Sequence, residues 1–112
     1  MSRSASALES LPPASAAALR QLGADLGLAR RRRGQSLRAW AQRLNVSVPT
    51  LTRMEKGDAK VGAGVYATAL WMVNRHDALA VLADPKEDLG ALELDIRAAA
   101  NRGRRTPKAS DA

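Results

Sequence analysis

The sequence contains no cysteine, one histidine and very few aromatic residues: two tryptophans, one tyrosine and no phenylalanine. Without cysteine the chain can form no disulfide, bind no metal through thiolates and use no thiol nucleophile. A single histidine argues against a zinc site built from several histidines. There is also no Gly-rich phosphate-binding motif and no carboxylate pair accompanied by a histidine. We therefore expect a protein that is not an enzyme and needs no cofactor.

Long apolar runs are missing as well. No stretch approaches the roughly 20 apolar residues that a membrane-spanning helix needs. Residues 1–13 lack the charged and apolar segments of a signal peptide, so we expect a cytoplasmic protein that makes no contact with a membrane. No segment alternates between apolar and polar side chains as a half-buried strand does. The pattern predicts an all-α fold.

The net charge of +7 is distributed unevenly along the chain. Residues 30–56 hold eight Lys or Arg and one acid, whereas residues 77–95 hold six acids and one lysine. Residues 97–108 then carry five basic residues and no acid. A basic block of this kind is typical of a surface that binds a polyanion, and charge alone leaves open that it only solvates helix faces.

Composition divides the chain into three parts. Residues 1–14 are rich in Ser, Ala and Pro, which predicts a flexible N-terminal segment. Residues 15–83 contain apolar residues at helical spacing, which predicts a compact domain of five helices beginning at a cap on Ser15. Residues 84–112 are first acidic and then basic, and we expect this tail to be weakly helical or disordered.

Two short helices with a tight connection lie at the centre of the domain. Ser36 is placed to cap the first, which runs to residue 44, and Asn45 tolerates the left-handed conformation that turns the chain out of a helix. Ser47 is placed to cap the second, and Pro49 falls in its first turn, where a missing N–H costs little. Helices joined in this way form a helix-turn-helix.

The segment SLRAWAQRLNVSVPTLTRMEKG, residues 36–57, resembles the lambda-repressor-like (Xre-type) helix-turn-helix. It departs from the usual pattern at Leu37, Trp40 and Asn45, where the family has Gln, Leu and Gly. The resemblance implies a lambda-repressor-like domain that represses transcription as a homodimer on an inverted repeat of double-stranded DNA at the nucleoid. The positions that agree by identity or by close type are Ser36, Ala41, Leu44, Val46, Ser47, Thr50, Leu51, Thr52, Met54, Glu55 and Gly57.

The exposed face of the helix after Ser47 is the expected probe of the major groove, which admits one α-helix. Arg53 is the strongest candidate for base readout because its planar fork matches the O6 and N7 atoms of guanine. A phosphate contact or a pair with a nearby acid is the alternative role for Arg53. The predicted base-reading residues are Ser47, Val48, Pro49, Thr52 and Arg53.

Phosphate contacts are expected around this face. Ser36 serves as a helix cap and also aims a helix N-terminus at the DNA backbone. Glu55 is acidic within a basic patch, so we expect it to be structural and to pair with an arginine of the first predicted helix. The predicted phosphate-contacting residues are Arg33, Ser36, Arg38, Arg43, Thr50 and Lys56.

A helix predicted over residues 65–74 has almost no polar face, so it is either enclosed or shared with another chain. We expect a dimer interface there and on the following short helix, although Trp71 and Met72 would also serve to close the core of a single chain. The predicted interface residues are Tyr66, Trp71, Met72, Leu79 and Leu82.

The next segment, GVYATALWMVNRHDALAVLADPKEDLGALELDIR at residues 64–97, resembles the region that follows the motif in HipB-type antitoxins. These are Xre-type partners of HipA-type serine/threonine kinase toxins. The resemblance implies a protein that represses its own operon and neutralises such a kinase, with the acidic stretch and the tail as contact surfaces. The alternatives are a free-standing Xre-type regulator without a toxin partner and an interaction protein that has lost DNA binding.

Overall fold

The computed structural model describes the backbone of residues 3–111 and the side chains of residues 6–104. Over this range the chain forms seven α-helices, one turn of 3-10 helix at Pro85–Glu87 and no strand. The predicted all-α fold is confirmed. The helices are α1 (Arg3–Glu9), α2 (Pro13–Arg32), α3 (Leu37–Leu44), α4 (Val48–Glu55), α5 (Ala63–Met72), α6 (His76–Ala80) and α7 (Leu89–Asp111).

The expected count of five helices is too low for the chain. Helices α2 to α6 are the five expected in the central domain, whereas α1 and α7 lie in the segments predicted to be flexible or only weakly helical. Both additional helices are rich in residues with high intrinsic helix propensity, such as Ala, Leu and Arg. None of the helices described is both long and apolar enough to cross a membrane.

Helix α2 begins two residues before the expected cap. Its N-cap is Pro12, with Pro13 as the first helical residue, and no side chain caps it, so Ser15 lies within the first turn. Proline fits the first turn because its missing N–H would have no helical partner there. At the other end the chain leaves the helix through Gly34, whose φ of 65° is left-handed.

The two central helices have the predicted caps. The hydroxyl of Ser36 accepts a hydrogen bond from the amide of Ala39 at 3.0 Å. Helix α3 then ends at Asn45, which adopts the left-handed conformation with φ 58° and ψ 42°. The hydroxyl of Ser47 accepts from the amide of Thr50 at 3.2 Å. These local bonds place α4 after a short turn and confirm the helix-turn-helix.

The hydrophobic core lies between α2, α3, α4 and α5. Trp40, Leu51 and Met54 are its largest fully buried side chains. Helix α4 packs against both α2 and α3, and α5 packs against α3. Burying an aliphatic side chain of this size contributes about 1.5–3 kcal/mol, so the inward side of α4 anchors it firmly. The remaining core residues are Leu26, Ala41, Leu44, Val61, Tyr66 and Ala69.

Two glycines bring the backbones of α2 and α4 into direct contact. A Cβ added to Gly23 would lie 2.5 Å from the carbonyl oxygen of Met54 and 2.6 Å from the amide nitrogen of Gly57. Gly57 has a φ of 75°, and a Cβ there would collide with the backbone of Leu19 and Arg20. The C-terminal end of α4 therefore meets α2 at a distance that only glycine permits.

The chain divides into two compact units, the first ending at Leu79 and the second beginning at Ala80. In the second unit the carboxylate of Asp84 accepts from the amide of Lys86 at 2.9 Å and starts the 3-10 turn. The carboxylate of Asp88 accepts from the amide of Ala91 at 3.1 Å and caps α7. The Asp88 cap satisfies an orphan amide in the first turn of α7, within the segment predicted to be weakly helical or disordered.

Candidate nucleic-acid interface

Helix α4 has one side in the core and one side in solvent. Leu51 and Met54 are 0% exposed, whereas Ser47, Val48, Pro49 and Arg53 are exposed. Thr52 is the exception among the predicted base-reading residues, because its side chain is half-buried. The structure thus brings four of the five onto one open surface around the N-terminal half of the helix. The helix dipole gives this end of α4 a partial positive charge, which favours phosphate or base acceptors.

The side chain of Arg53 is held over the first turn of α4. Its Nη2 donates to Oγ1 of Thr50 at 3.2 Å. The same oxygen accepts from the hydroxyl of Ser47 at 3.0 Å. The guanidinium has five N–H donors, so this bond positions it without using up its capacity to bind a base or a phosphate.

Thr50 therefore has a role that the sequence did not indicate. It was predicted to contact phosphate, but it is half-buried and its oxygen accepts hydrogen bonds from both Ser47 and Arg53. The signal was available in principle, because residues 47, 50 and 53 are spaced three apart and share one helix face. In this arrangement Thr50 orients the candidate base-reading side chain.

The remaining predicted phosphate contacts lie on the surface. Ser36 and Lys56 are exposed, as is Arg38. Arg33 is exposed and its Nη1 donates to the carbonyl of Ala29 at 2.9 Å. In the sequence these residues flank the turn and both ends of α4. A DNA backbone that passes beside α4 would come close to them.

Arg43 packs over the ring of the core residue Trp40. The guanidinium carbon lies 5.1 Å from the centroid of the Trp40 ring, a cation–π contact. Trp40 stands where the family usually has leucine, and it is 1% exposed. The larger ring fills the core and also gives Arg43 a fixed support at the surface.

Arg30 and Glu55 form a partly buried ion pair between α2 and α4. The Arg30 Nε donates to Oε2 of Glu55 at 2.8 Å and Nη2 donates to Oε1 at 3.1 Å. The third contact is from Nη1 to the carbonyl of Gln35 at 2.8 Å. The hydrogen bond to Glu55 raises the pKa of Arg30, although burial acts against it. The prediction that Glu55 pairs with an arginine of the first central helix is confirmed.

This pair changes the electrostatics of the basic block. Arg30 is 8% exposed, whereas Arg33, three residues further along the chain, is exposed. With Arg30 and Glu55 neutralising each other, residues 30–56 retain seven of their eight cations and none of their single acid. The surface around α4 is therefore purely positive within that block, as a polyanion requires.

The predicted dimer residues fall into two groups. Tyr66 is a core residue, which corrects its assignment to a surface: it is 7% exposed and its hydroxyl donates to the carbonyl of Asp58 at 2.8 Å. Met72 is half-buried and packs against the same core. Trp71 is 64% exposed, Leu79 40% and Leu82 76%, so these three alone present large apolar surface.

Comparison with known proteins agrees with this geometry. Residues 21–81, more than half of the chain, match the family model described as "Helix-turn-helix domain". The chain belongs to this helix-turn-helix family. No curated protein and no solved structure matches it. The matched region begins within α2 and extends past α6, so it contains the whole of the candidate interface. The helix-turn-helix domain identifies the protein as a DNA-binding regulator.

Proposed function

We propose that this helix-turn-helix protein is a sequence-specific repressor that binds an inverted-repeat operator as a homodimer. The observation that carries the proposal is the two-sided character of α4, with Leu51 and Met54 fully buried and Arg53 held on the open side by Thr50. An eight-residue helix reaches too few base pairs to specify one site in a genome. Two copies on half-sites about one helical turn apart provide the rest.

In this proposal Arg53 reads a guanine through its O6 and N7 atoms. Val48 and Pro49 have no side-chain hydrogen-bonding groups, so they contact thymine methyl groups or groove shape. Ser47 lies at the positive end of α4, and Thr52 borders the face at its half-buried edge. Each correct bidentate contact is worth about 1–3 kcal/mol of discrimination against a wrong base.

Phosphate contacts supply most of the remaining affinity. Arg33, Arg38, Arg43 and Lys56 are the cations of this set, and Ser36 offers the capped N-terminus of α3. Each neutralised phosphate releases counterions, so the affinity falls steeply as salt rises. These contacts fix the register of the domain on the duplex but do not read its sequence.

The deciding experiment measures binding of the full chain to the DNA upstream of its own gene across a salt series. We expect wild-type protein to prefer that DNA to random sequence, and Arg53→Ala to lose about 1–3 kcal/mol and relax the preference at one position of each half-site. Arg75→Ala is the matched control, because Arg75 is an exposed arginine outside α3 and α4. The control should reduce affinity only slightly and leave the sequence preference unchanged.

Two outcomes would refute the repressor. One is wild-type protein that binds the upstream DNA no better than random DNA at physiological salt. The other is equal loss of sequence preference in Arg53→Ala and Arg75→Ala, which would show that net charge and not readout governs binding. Loss of affinity in Arg53→Ala without relaxed preference would reassign Arg53 to a phosphate contact.

We further propose that the repressor is the antitoxin of a HipBA-like system, which controls its own operon and neutralises a HipA-type kinase. The support is the resemblance of residues 64–97 to the segment after the motif in HipB-type proteins. In this segment Trp71, Leu79 and Leu82 expose apolar surface, and the acidic residues Asp84, Glu87 and Asp88 follow. These exposed residues, together with half-buried Met72, are available for the dimer or for the kinase.

The antitoxin proposal is tested by the neighbouring reading frame. If it encodes a HipA-type kinase, co-expression should relieve its toxicity, and the two full-length proteins should purify as one complex. A neighbouring frame of another kind, or a kinase whose toxicity is unaffected, would leave a free-standing Xre-type regulator. That result would not touch the DNA-binding proposal, which is measured without a kinase.

A further inference from the structure

Helix α7 carries an exposed apolar stripe that follows the heptad spacing of paired helices. Leu89, Leu92 and Ile96 are 74%, 44% and 68% exposed, respectively. Ala99 and Gly103 continue the same alternating steps of three and four residues. Steps of this kind keep side chains along one seam of a helix and are typical of helices that pair with another helix. All five positions lie within about 80° of the helix circumference at 100° per residue.

The side chains of this stripe decrease in size along the helix. Its first part holds Leu89, Leu92 and Ile96, and its second part holds Ala99 and Gly103. A parallel pair would place large residues against large ones at one end and leave a gap at the other. An antiparallel pair places large residues of one copy against small residues of the other. In the register with Ile96 opposite Ala99 of a second copy, Leu92 lies opposite Gly103, and symmetry repeats both layers.

The charges beside the stripe favour the same arrangement. Asp95 and Arg102 are seven residues apart and occupy the same edge of the stripe. In the antiparallel register each Asp95 lies beside Arg102 of the second copy, which gives two opposite-charge pairs. A parallel pair would place Glu93 beside Asp88 of the second copy, which are like charges. Size and charge, two independent properties, therefore select one orientation and one register.

We propose that two copies of this protein associate through antiparallel pairing of α7, with Leu92 and Ile96 packed on Gly103 and Ala99 of the other copy. The inference deepens the homodimer of the proposed function and rests on it for its use on DNA. It concerns association in solution, which is measured without DNA. A failure of operator binding and a failure of this pairing are therefore distinguishable.

The first test compares two aspartates on one helix by sedimentation equilibrium of the full chain. Leu94 and Ile96 are 64% and 68% exposed, but Leu94 lies on the opposite side of α7 from the stripe. We expect a wild-type dimer in the roughly micromolar range, Ile96→Asp to weaken it by at least about tenfold, and Leu94→Asp to leave it unchanged. A wild-type monomer, or equal effects of the two variants, would overturn the proposal.

The second test fixes the orientation, and the absence of native cysteine makes it free of background. Within one α7, residues 92 and 103 lie about 16 Å apart along the axis, too far for a disulfide. Antiparallel pairing predicts that the double variant Leu92→Cys, Gly103→Cys forms a covalent dimer in a glutathione redox buffer, whereas neither single variant does. A Cβ at Gly103 meets nothing within 4 Å, so the substitution fits. Efficient cross-linking of either single variant would indicate a parallel pair and refute the proposed orientation.

A charge exchange then tests the register. Asp95→Arg and Arg102→Asp each replace two opposite-charge pairs by like-charge pairs, and each should weaken the dimer on the order of tenfold at low salt. The double exchange should restore association to near the wild-type level, because both pairs reform with reversed polarity. If the double variant is weaker than either single variant, the proposed register is wrong.

Discussion

The carboxylate of Glu55 is bound by the guanidinium of Arg30 at 2.8 and 3.1 Å, and this pair joins α4 to α2. Both side chains are almost enclosed, with exposures of 10% and 12%. The pair therefore joins two helices at a point where neither charge is well solvated. Removing one partner leaves the other nearly buried and without its principal counter-charge.

We expect Glu55→Ala to lower the free energy of unfolding by about 2–3 kcal/mol, because Arg30 keeps only its bond to the Gln35 carbonyl. Urea denaturation followed by circular dichroism measures the change. Glu93→Ala is the control, since its pair with Arg97 is as short but 70% and 64% exposed. The control should change stability by less than about 1 kcal/mol. Equal effects would mean that burial does not strengthen the Glu55 pair.

Thr50→Val should reduce sequence preference more than overall affinity. Valine keeps the shape of threonine but removes the oxygen that accepts from Arg53, so the guanidinium loses its orientation over the first turn. The cap on α4 remains, because it is formed by the Ser47 oxygen and the backbone amide of Thr50. The affinities for the DNA upstream of the gene and for random DNA give the specificity ratio. We expect this ratio to fall on the order of tenfold, while the salt dependence of binding stays unchanged.

Thr68→Val provides the comparison for that variant. Its hydroxyl also bonds within a helix, to the carbonyl of Gly64, but it lies on α5. If Thr50→Val and Thr68→Val have the same specificity ratio, then Arg53 does not depend on Thr50 for its orientation. If Thr50→Val instead reduces the salt dependence, Thr50 contacts phosphate directly, as the sequence predicted.

Gly23→Ala should destabilise the domain by at least about 2 kcal/mol. The new methyl group would meet the backbone of Met54 and Gly57 at distances that require α4 to move. Gly64→Ala is the matched change at a helical glycine with open space around its Cβ, and it should be neutral or stabilising by up to about 1 kcal/mol. Thermal unfolding of both variants checks the difference. A neutral Gly23→Ala would show that the two helices are not in backbone contact.

Tyr66 should make the domain sensitive to alkaline pH. Burial, and secondly the negative charge of Asp58, raise the pKa of the Tyr66 hydroxyl above its ordinary value of 10.0. The unfolded chain therefore releases this proton at a lower pH than the folded one. The contribution of the neutral hydroxyl is fully present below about pH 10 and is lost as pH rises through the raised pKa.

Tyr66→Phe isolates this effect from the titration of other groups. At pH 7 the variant should be less stable by about 1 kcal/mol, because the Asp58 carbonyl loses its hydrogen bond from Tyr66. Since phenylalanine does not titrate, the difference from wild type should narrow as the pH is raised above 10. Urea midpoints between pH 7 and 11 measure it. A difference that stays constant over that range would contradict the role assigned to Tyr66.

The sequence predicted the parts of the fold that depend on local chemistry. Ser36, Asn45 and Ser47 determine their own turns through bonds to nearby residues, so the helix pair could be located from its caps alone. Tyr66 was predicted for a dimer surface but lies in the core, because its burial depends on core residues of other helices, among them Leu26, Trp40 and Leu51. Spacing identifies a helix face but not the neighbouring element that covers it.

The sequence likewise predicted only part of the candidate site. The outward face of α4 followed from periodicity, whereas the hydrogen bonds that hold Arg53 depend on side-chain rotamers that a sequence pattern does not specify. The helical signal of α7 is weak in the sequence for a different reason. Its apolar residues are exposed in a single chain, so the usual signal of a helix, one face turned to a core, is weak there.

The contact between Gly23 and Gly57 has a consequence for how this protein family member can diversify. The angle at which α4 leaves the domain is determined by main-chain atoms on its inner side, and no outward side chain takes part in that contact. Exchanging the residues at positions 48, 49, 52 and 53 therefore changes the chemistry of the outward side of α4 without changing the main-chain contact that holds the helix against α2. Under the proposed function, the same scaffold binds a new DNA sequence after a few substitutions on that side, while the glycines stay fixed.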